Sequence, residues 1–220
     1  MNNKGETCVR NWIVRLTFYL CGIMIVTFGV SLTIRSNLGA GGWDSTAVGL
    51  SELSGLTVGN WVYIIGAVII TLNAILTRGK PNVKAFLTIF LMGTMVDVWL
   101  LKILTFSTPE HLGIRFMILL PGIFLIAFGI TTYTRGRIAN HPIDDLMIIL
   151  TKITRLSLRS SRLSCEIFSI ILALCVGGPV SIGTFIIAFF IGPFIQWLYK
   201  PIENVFIRLA AWQDDHLKTI

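Results

Sequence analysis

Long apolar runs separated by short polar segments dominate the chain. Six of these runs are long enough to cross a bilayer, which takes roughly 20 apolar residues in a helix. They cover approximately residues 12–34, 60–76, 83–104, 114–134, 158–176 and 182–199. The pattern predicts an all-α integral membrane protein with six transmembrane helices, and nothing in it is typical of a soluble enzyme.

Two shorter amphipathic stretches lie between these runs, at residues 44–54 and 144–154. At about 1.5 Å per residue, each is too short to cross the bilayer as an ordinary helix. We expect them to lie in the interface, or to dip into the bilayer and return. After Pro201 the pattern predicts a separate amphipathic helix on the membrane surface. Its apolar side would carry Ile202, Val205, Phe206, Leu209 and Trp212.

The two halves of the chain match one another at a spacing of 100 residues. The matched positions keep glycine, arginine and aspartate as well as apolar residues, which indicates a duplication. They are Arg15, Leu20, Gly22, Ile23, Phe28, Gly29, Arg35, Asp44, Leu50 and Leu56, with Arg115, Leu120, Gly122, Ile123, Phe128, Gly129, Arg135, Asp144, Leu150 and Leu156. We predict one membrane domain over residues 1–220, with repeat one at about 12–104, repeat two at about 112–200 and an amphipathic cytoplasmic tail at 201–220.

The number of spans in each half determines how the two halves are oriented relative to one another. If the short helix does not cross, each half has three spans, and the second half is inverted relative to the first. With the N-terminus inside, Arg78, Lys80 and Lys84 then lie in the cytoplasm, while the uncharged loop 177–181 lies outside. Eight spans would place these three cations outside. We therefore predict two inverted three-span repeats with both termini cytoplasmic.

Composition agrees with a membrane protein and narrows the function. Charged residues make up 13% of the chain, against about 25% in an average soluble domain. The net charge is +7, and the basic residues lie between apolar runs, so they indicate loops that face anionic headgroups rather than nucleic acid. Because no nucleotide loop, hydrolase nucleophile motif or cysteine metal cluster occurs, we predict no enzymatic activity, catalytic residue, metal or cofactor.

Each short helix follows a turn that breaks the preceding helix. In the first half the turn is rich in glycine, and in the second half a proline supplies the break. The candidate substrate- or ion-binding residues at these turns are Gly39, Gly41, Gly42, Asp44, Asn140, Asp144 and Asp145. Asp44 and Asp144 are predicted N-caps of the short helices. They either bind a proton or cation where the broken helices meet, or only start the helices, and the sequence leaves both interpretations open.

Two further carboxylates lie inside predicted spans, where ionisable side chains are costly and usually face a cavity or a partner. Asp97 either lines a transport path or lies solvated beside Lys102 at the outer interface. Glu166 either lines that path or pairs with Arg162, one helical turn earlier.

The glycine-rich segment and its counterpart resemble the YczE-like bacterial membrane proteins of the YczE/YyaS/YitT group. The residues that carry the resemblance are Leu38-Gly39-Ala40-Gly41-Gly42-Trp43-Asp44, Gly49-Leu50-Ser51, Ser54-Gly55-Leu56-Thr57-Val58-Gly59, Pro142-Ile143-Asp144-Asp145-Leu146-Met147, Gly177-Gly178-Pro179 and Ile182-Gly183-Thr184. The resemblance covers nearly the whole chain and implies a multi-pass protein of the cell (inner) membrane.

Two functions remain open at this point. Repeat symmetry with broken helices favours a secondary transporter of an unknown small solute, coupled to protons. The small size and the basic cytoplasmic face instead favour a non-transporting regulatory or assembly subunit. The lipid bilayer is the expected partner in both cases, and a second copy of the chain or another membrane protein remains open as a further one.

Overall fold

The computed structural model describes residues 3–106 and 109–216, with side chains for residues 12–106 and 109–210. Every regular element in these residues is helical. The helices are α1 (Asn3–Ser36), α2 (Gly42–Ser54), α3 (Val58–Thr77), α4 (Val83–Val98), α5 (Leu112–Gly136), α6 (Pro142–Thr154), α7 (Leu158–Cys175) and α8 (Ile182–His216). One π-helical turn, Trp99–Ile103, continues α4.

Five helical segments are long and apolar enough to cross a membrane. They are Trp12–Ser36, Val58–Thr77, Val83–Ile103, Leu112–Gly136 and Ile182–Ala210. The sixth predicted span forms α7, which is shorter and carries Arg159, Arg162 and Glu166. Helix α7 nevertheless exposes an apolar stripe, formed by Leu163, Ile167, Phe168, Ile171 and Leu174. An all-helical, multi-pass membrane protein is therefore confirmed.

The predicted break at Pro201 is wrong. Helix α8 continues through both Pro193 and Pro201, and no separate surface helix begins there. Ile202 is buried in a cluster with Ala127 and Leu198, so packing against α5 continues past the proline. This packing holds the helix together although proline removes one backbone hydrogen bond. The prediction for residues 217–220 of the tail lies outside the described residues.

Helices α1 and α5 cross as an antiparallel pair at the centre of the bundle. A Cβ on Gly29 would lie 2.7 Å from the carbonyl oxygen of Gly122, and a Cβ on Gly129 would lie 2.8 Å from that of Gly22. Both helices thus approach through the same two glycine positions, 100 residues apart. In a membrane, small residues of this kind let helix backbones come close enough for extensive van der Waals contact.

Contacts between α1 and α4 show that these two helices run in the same direction. The hydroxyls of Tyr19 and Thr88 lie 2.7 Å apart. Further along both helices, Trp99 Nε1 donates to Thr27 Oγ1 at 3.1 Å.

Helix α3 is antiparallel to α4 and therefore also to α1. The hydroxyls of Tyr63 and Thr94 lie 2.7 Å apart, while Gly66, later in α3, meets the earlier Ile89 of α4. Since α3 begins at the end of the bundle where α1 finishes, the segment that contains α2 returns to the end it left.

Helices α5 and α8 run in the same direction, as α1 and α4 do. Ile123 and Ile187 share a buried cluster in their first halves. Towards the ends of both, Arg135 Nη1 and Glu203 Oε1 form an ion pair at 3.0 Å.

The turns around the short helices have the same backbone conformation in the two halves. Asn37 and Arg137, before α2 and α6, have φ values of 52° and 49°. Gly55 and Arg155, after them, have φ values of 74° and 58°. All four residues are left-handed, a conformation that arginine adopts only when surrounding contacts hold it there.

Candidate functional site

Each short helix begins two or three residues before its first aspartate. The N-cap of α2 is Gly41, with φ −56° and ψ 153°, and the N-cap of α6 is His141. Asp44 and Asp144 lie inside the first turn, so the prediction that they are N-caps is wrong. The glycines and Pro142, a residue well suited to the first helical position, let each helix start earlier. A first-turn carboxylate still interacts favourably with the helix dipole.

Asp44 lies near a second carboxyl group, that of Glu166. The amide of Gly42 donates to Glu166 Oε1 at 3.4 Å, so the first turn of α2 faces the middle of α7. Helix α2 is outside the five spans. Burial raises the pKa of Asp44 from 3.8 to about 7, with a smaller contribution in the same direction from the nearby charge of Glu166. A carboxyl group with this pKa exchanges its proton near neutral pH.

The predicted structural pairing of Glu166 with Arg162 does not occur. The ion pair found among the described side chains joins Arg135 to Glu203 instead. Glu166 turns towards α2, and the sequence spacing of the two residues on α7 gave no sign of this contact.

Helix α2 packs tightly on α7. Thr46 Oγ1 donates to the carbonyl oxygen of Ser169 at 3.1 Å, and a Cβ on Gly42 would overlap the Ser169 hydroxyl. A Cβ on Gly49 would lie 2.6 Å from the amide nitrogen of Gly178 and 2.7 Å from the carbonyl oxygen of Val176. Two glycines on one face thus let α2 approach the backbone of α7 and of the loop that follows it.

Gly39 has a structural role in this turn. Its φ of 102° is open to glycine and unfavourable for other residues. The adjacent carbonyl oxygen of Leu38 accepts a 2.7 Å hydrogen bond from the amide of Gly183. The turn before α2 is thereby attached to the first residues of α8.

Asp144, the counterpart of Asp44, has a different partner. Its Oδ2 accepts a hydrogen bond from the hydroxyl of Tyr133 at 2.8 Å. Tyr133 is fully buried and lies edge-on to Tyr19, with 6.4 Å between ring centroids. The first turn of α6 is thereby attached to the end of α5.

Asp145 is held by two asparagines. Asn82 Nδ2 donates to Oδ2 at 3.1 Å, and Asn140 Nδ2 donates to Oδ1 at 3.0 Å. Asn82 also lines two adjoining cavities. One cavity of 230 Å³ lies between α3 and α6, and one of 290 Å³ lies beside the turn that contains Asn140.

The first turns of α2 and α6 contribute side chains to one apolar cluster. Trp43 of α2 packs on a buried cluster that contains Ile69, Leu146 and Cys165. Its indole Nε1 is buried without a hydrogen-bond partner. Ile143 of α6 packs on the same cluster, so apolar contacts join the first turns of the two short helices.

Asp97 belongs to neither turn. Its carboxylate accepts hydrogen bonds from the Thr57 hydroxyl at 2.6 Å and from the Gly59 amide at 2.8 Å. Asp97 thus ties α4 to the N-terminus of α3, and this contact replaces the predicted solvated arrangement beside Lys102. The carboxylate satisfies backbone donors that the first turn of a helix leaves free.

Sequence analysis missed Tyr133, Asn82 and Trp43, which complete the surroundings of the aspartates. A buried tyrosine inside an apolar span is a weak signal that could have pointed to Tyr133. No spacing in the sequence connects Asn82 with Asp145. Within residues 3–106 and 109–216, no three histidine, cysteine or carboxylate side chains are close enough to hold a metal ion.

Comparisons with known proteins agree with this architecture. The model of a family of unknown function (DUF6198) matches residues 13–200. The chain is 33% identical over 189 residues to "Uncharacterized protein YyaS" of Bacillus subtilis (strain 168), which covers 86% of this chain and 94% of that protein. It is also 33% identical over 186 residues to "Uncharacterized membrane protein YczE" of the same organism, with 84% and 85% covered.

A more distant relative is an "Uncharacterized protein" of Haemophilus influenzae, 26% identical over 196 residues, which cover 88% of this chain and 85% of the relative. No solved structure matches the chain. The resemblance carried by the glycine-rich turn and its counterpart is thus confirmed, and this multi-pass membrane protein belongs to the DUF6198 family, together with the YczE-like proteins.

Proposed function

We propose that the protein is a secondary transporter of a small solute, coupled to protons through carboxyl groups at the first turns of α2 and α6. The observation that carries this proposal is the meeting of Asp44 and Glu166 at the start of α2. A carboxyl group with a pKa of about 7 gains and loses a proton in the physiological range. Ionisable groups at broken helices are a recurring feature of ion-coupled transport sites.

The proposed topology has six spans in two inverted halves, with α7 as the sixth span. It is supported by the parallel direction of α1 and α4 and by the return of the α2 segment to the end it left. The matched glycine contacts and left-handed turns, each 100 residues apart, support an internal repeat. Helices α2 and α6 are then re-entrant.

The proposed orientation places both termini in the cytoplasm of a cell (inner) membrane. The α3–α4 loop and the α6 region carry exposed cations, among them Lys80, Lys84, Lys152 and Arg155. The loop between α7 and α8 carries none. This asymmetry follows the positive-inside rule.

The proposed cycle moves the two halves against each other around the two first turns. In this cycle the apolar cluster that contains Trp43, Ile143 and Leu146 acts as the gate between the two carboxyl groups, a role supported by its side chains from both first turns. Rocking of the halves would part this cluster and expose one carboxyl group at a time. Release of the Asp44 proton on one side and its uptake on the other would couple the motion to the pH gradient.

We propose in addition that the chain has no enzymatic activity. Near Asp44 the groups are two carboxyls, a tryptophan and backbone amides, and near Asp144 they are a tyrosine and asparagines. The hydroxyl that contacts a carboxylate in these sets, that of Tyr133, is fully buried and therefore not open to a substrate. Turnover of a lipid or peptide substrate by the purified protein would overturn this part of the proposal.

The test is a solute screen in proteoliposomes with an imposed pH gradient. A solute found in this screen should be transported by the natural protein, and its transport should be lost with Asp44→Asn and with Asp144→Asn. Glu52→Gln is the matched control, because Glu52 is an exposed carboxylate at the far end of α2 and its change should leave transport intact. Size-exclusion profiles show whether each variant folds. Normal transport by both folded aspartate variants would end this mechanism.

A non-transporting regulatory or assembly subunit is the second candidate. The observation that favours it is the exposed basic surface formed by Lys152, Arg155 and Arg159, which could dock an acidic partner protein. A stoichiometric partner in a pull-down, lost with Arg155→Glu and Arg159→Glu, would favour this function if no solute flux is found.

A further inference from the structure

The two cavities beside Asp145 are lined by four cations. Lys80 and Lys152 line the cavity of 230 Å³, and Lys84 and Arg137 line the cavity of 290 Å³. Asn82 belongs to both linings, so the cavities adjoin. Four positive charges around one concave surface raise the positive potential inside it.

These cations have no carboxylate partner within the described part of the chain. Asp145 lines the first cavity, but its two oxygens accept hydrogen bonds from Asn82 and Asn140, and none of the four cations forms an ion pair with it. One carboxylate against four cations leaves the lining with three uncompensated positive charges. An anionic ligand would supply the missing charge.

The first cavity also offers a hydrogen-bond acceptor. Asn73 lines it and is only 9% exposed. Its Nδ2 donates to the carbonyl oxygen of Pro142 at 2.9 Å, whereas its Oδ1 is buried without any donor. Ile70, Ile148 and Ile149 form apolar walls beside it. The lining therefore suits an organic anion that carries a hydroxyl or ammonium donor.

We propose that the adjoining cavities bind a phosphate-bearing ligand, either a soluble phosphate ester or the headgroup of an anionic lipid. The phosphate lies among Lys80, Lys84, Arg137 and Lys152, and a hydroxyl of the ligand donates to Asn73 Oδ1. Lysine and arginine donate charge-assisted hydrogen bonds to phosphate, which are stronger than neutral ones. The volumes of 230 and 290 Å³ admit a headgroup or a small ester. This site does not require that the protein transports anything.

Thermal unfolding of the purified full chain in detergent provides the first test. Glycerol 3-phosphate should raise the unfolding temperature saturably, because a ligand that binds only the folded state stabilises it. Glycerol at the same concentration should have no such effect. Lys80→Gln with Lys152→Gln should weaken binding roughly tenfold or more, since charge-assisted contacts are lost. Lys84→Gln with Arg137→Gln should weaken it similarly.

Lys200→Gln with Arg208→Gln is the matched control. It removes two exposed cations that line neither cavity, and it should change the affinity less than roughly twofold. In nanodiscs, native mass spectrometry then compares retention of phosphatidylglycerol with that of phosphatidylcholine.

Each result decides the proposal. A variant-sensitive response to glycerol 3-phosphate supports the soluble ester, and variant-sensitive retention of phosphatidylglycerol alone supports the lipid headgroup. The site is overturned if neither ligand distinguishes the cavity variants from the natural protein, or if the control variant loses as much binding as the cavity variants do.

Discussion

The short helices α2 and α6 carry an aspartate at the same place in the first turn, but their surroundings differ. Asp44 accepts no hydrogen bond among the described contacts and lies near Glu166, whereas Asp144 accepts one from buried Tyr133. Glycines begin α2, and a histidine cap with a proline begins α6. One matched position thus holds a carboxyl group whose pKa is raised by burial, and the other holds a carboxyl group that accepts a hydrogen bond from a buried tyrosine. The contrast shows that matched sequence positions need not have matched chemistry.

The largest effect is expected where α2 packs on α7. Gly49→Val places side-chain atoms within about 3 Å of backbone at Val176 and Gly178, and overpacking of this kind costs about 3 kcal/mol or prevents folding. Ile149→Val, at the matched position of α6, creates the same residue but should cost only about 1 kcal/mol. Unfolding temperatures of the two variants provide the measurement. Equal losses would show that the two helices are packed alike.

The next effect is on the pH dependence of stability. Folded Asp44 keeps its proton up to about pH 7, while the unfolded residue loses it near 3.8. The raised pKa therefore adds stability that is complete in acid and is lost as the pH rises through about 7. Asp44→Asn should remove this loss, so that the unfolding temperature falls less between pH 5 and 8 than in the natural protein. The difference should be several degrees, since each kcal/mol is worth about 2–4 °C in a chain of this size.

Asp144→Asn serves as the control for that profile. This change removes a carboxyl group at the matched position but leaves Asp44 beside Glu166, so the fall in unfolding temperature between pH 5 and 8 should stay as it is in the natural protein. An equal fall in unfolding temperature for the natural protein and Asp44→Asn would contradict the raised pKa of Asp44.

A smaller effect is expected from the donor that distinguishes Asp144. Tyr133→Phe removes the 2.8 Å hydrogen bond and leaves a carboxylate without its donor, at a cost of about 1–3 kcal/mol. Tyr63→Phe is the control, because its hydroxyl pairs with Thr94 at a half-buried position on α3 and should cost less. A double-mutant cycle of Tyr133→Phe with Asp144→Asn measures the coupling directly. Additive losses would show that the two side chains do not interact.

The smallest effect concerns the caps. His141 Nδ1 accepts a 3.4 Å hydrogen bond from the first turn of α6, and burial lowers the pKa of His141 although Asp144 and Asp145 raise it. The ring is thus neutral at pH 7, and its Nδ1 is able to accept this hydrogen bond. His141→Ala should cost about 0.5–1 kcal/mol in chemical or thermal unfolding. His111→Ala should cost almost nothing, because His111 caps α5 without a side-chain hydrogen bond.

Much of the fold could be predicted from local pattern. Predicted and observed boundaries of the long helices agree to within about two residues at most ends, since hydropathy and helix periodicity are properties of neighbouring residues. Pro201 is the clearest failure at this level. A proline usually ends a helix, but burial of Ile202 against α5 outweighs one lost hydrogen bond.

The sequence by itself determined that the chain is a helical membrane protein, that two short helices interrupt it, and that each carries an aspartate near its start. Only the tertiary structure decided that Glu166 meets the first turn of α2 beside Asp44, that Asp97 caps α3, and that Trp43 packs in one cluster with residues of α6. The physical reason is that these contacts join residues 38 to 124 positions apart in the chain. They depend on how each helix is rotated about its axis and shifted along it in the packed bundle. Neither quantity can be derived from the periodicity of the sequence.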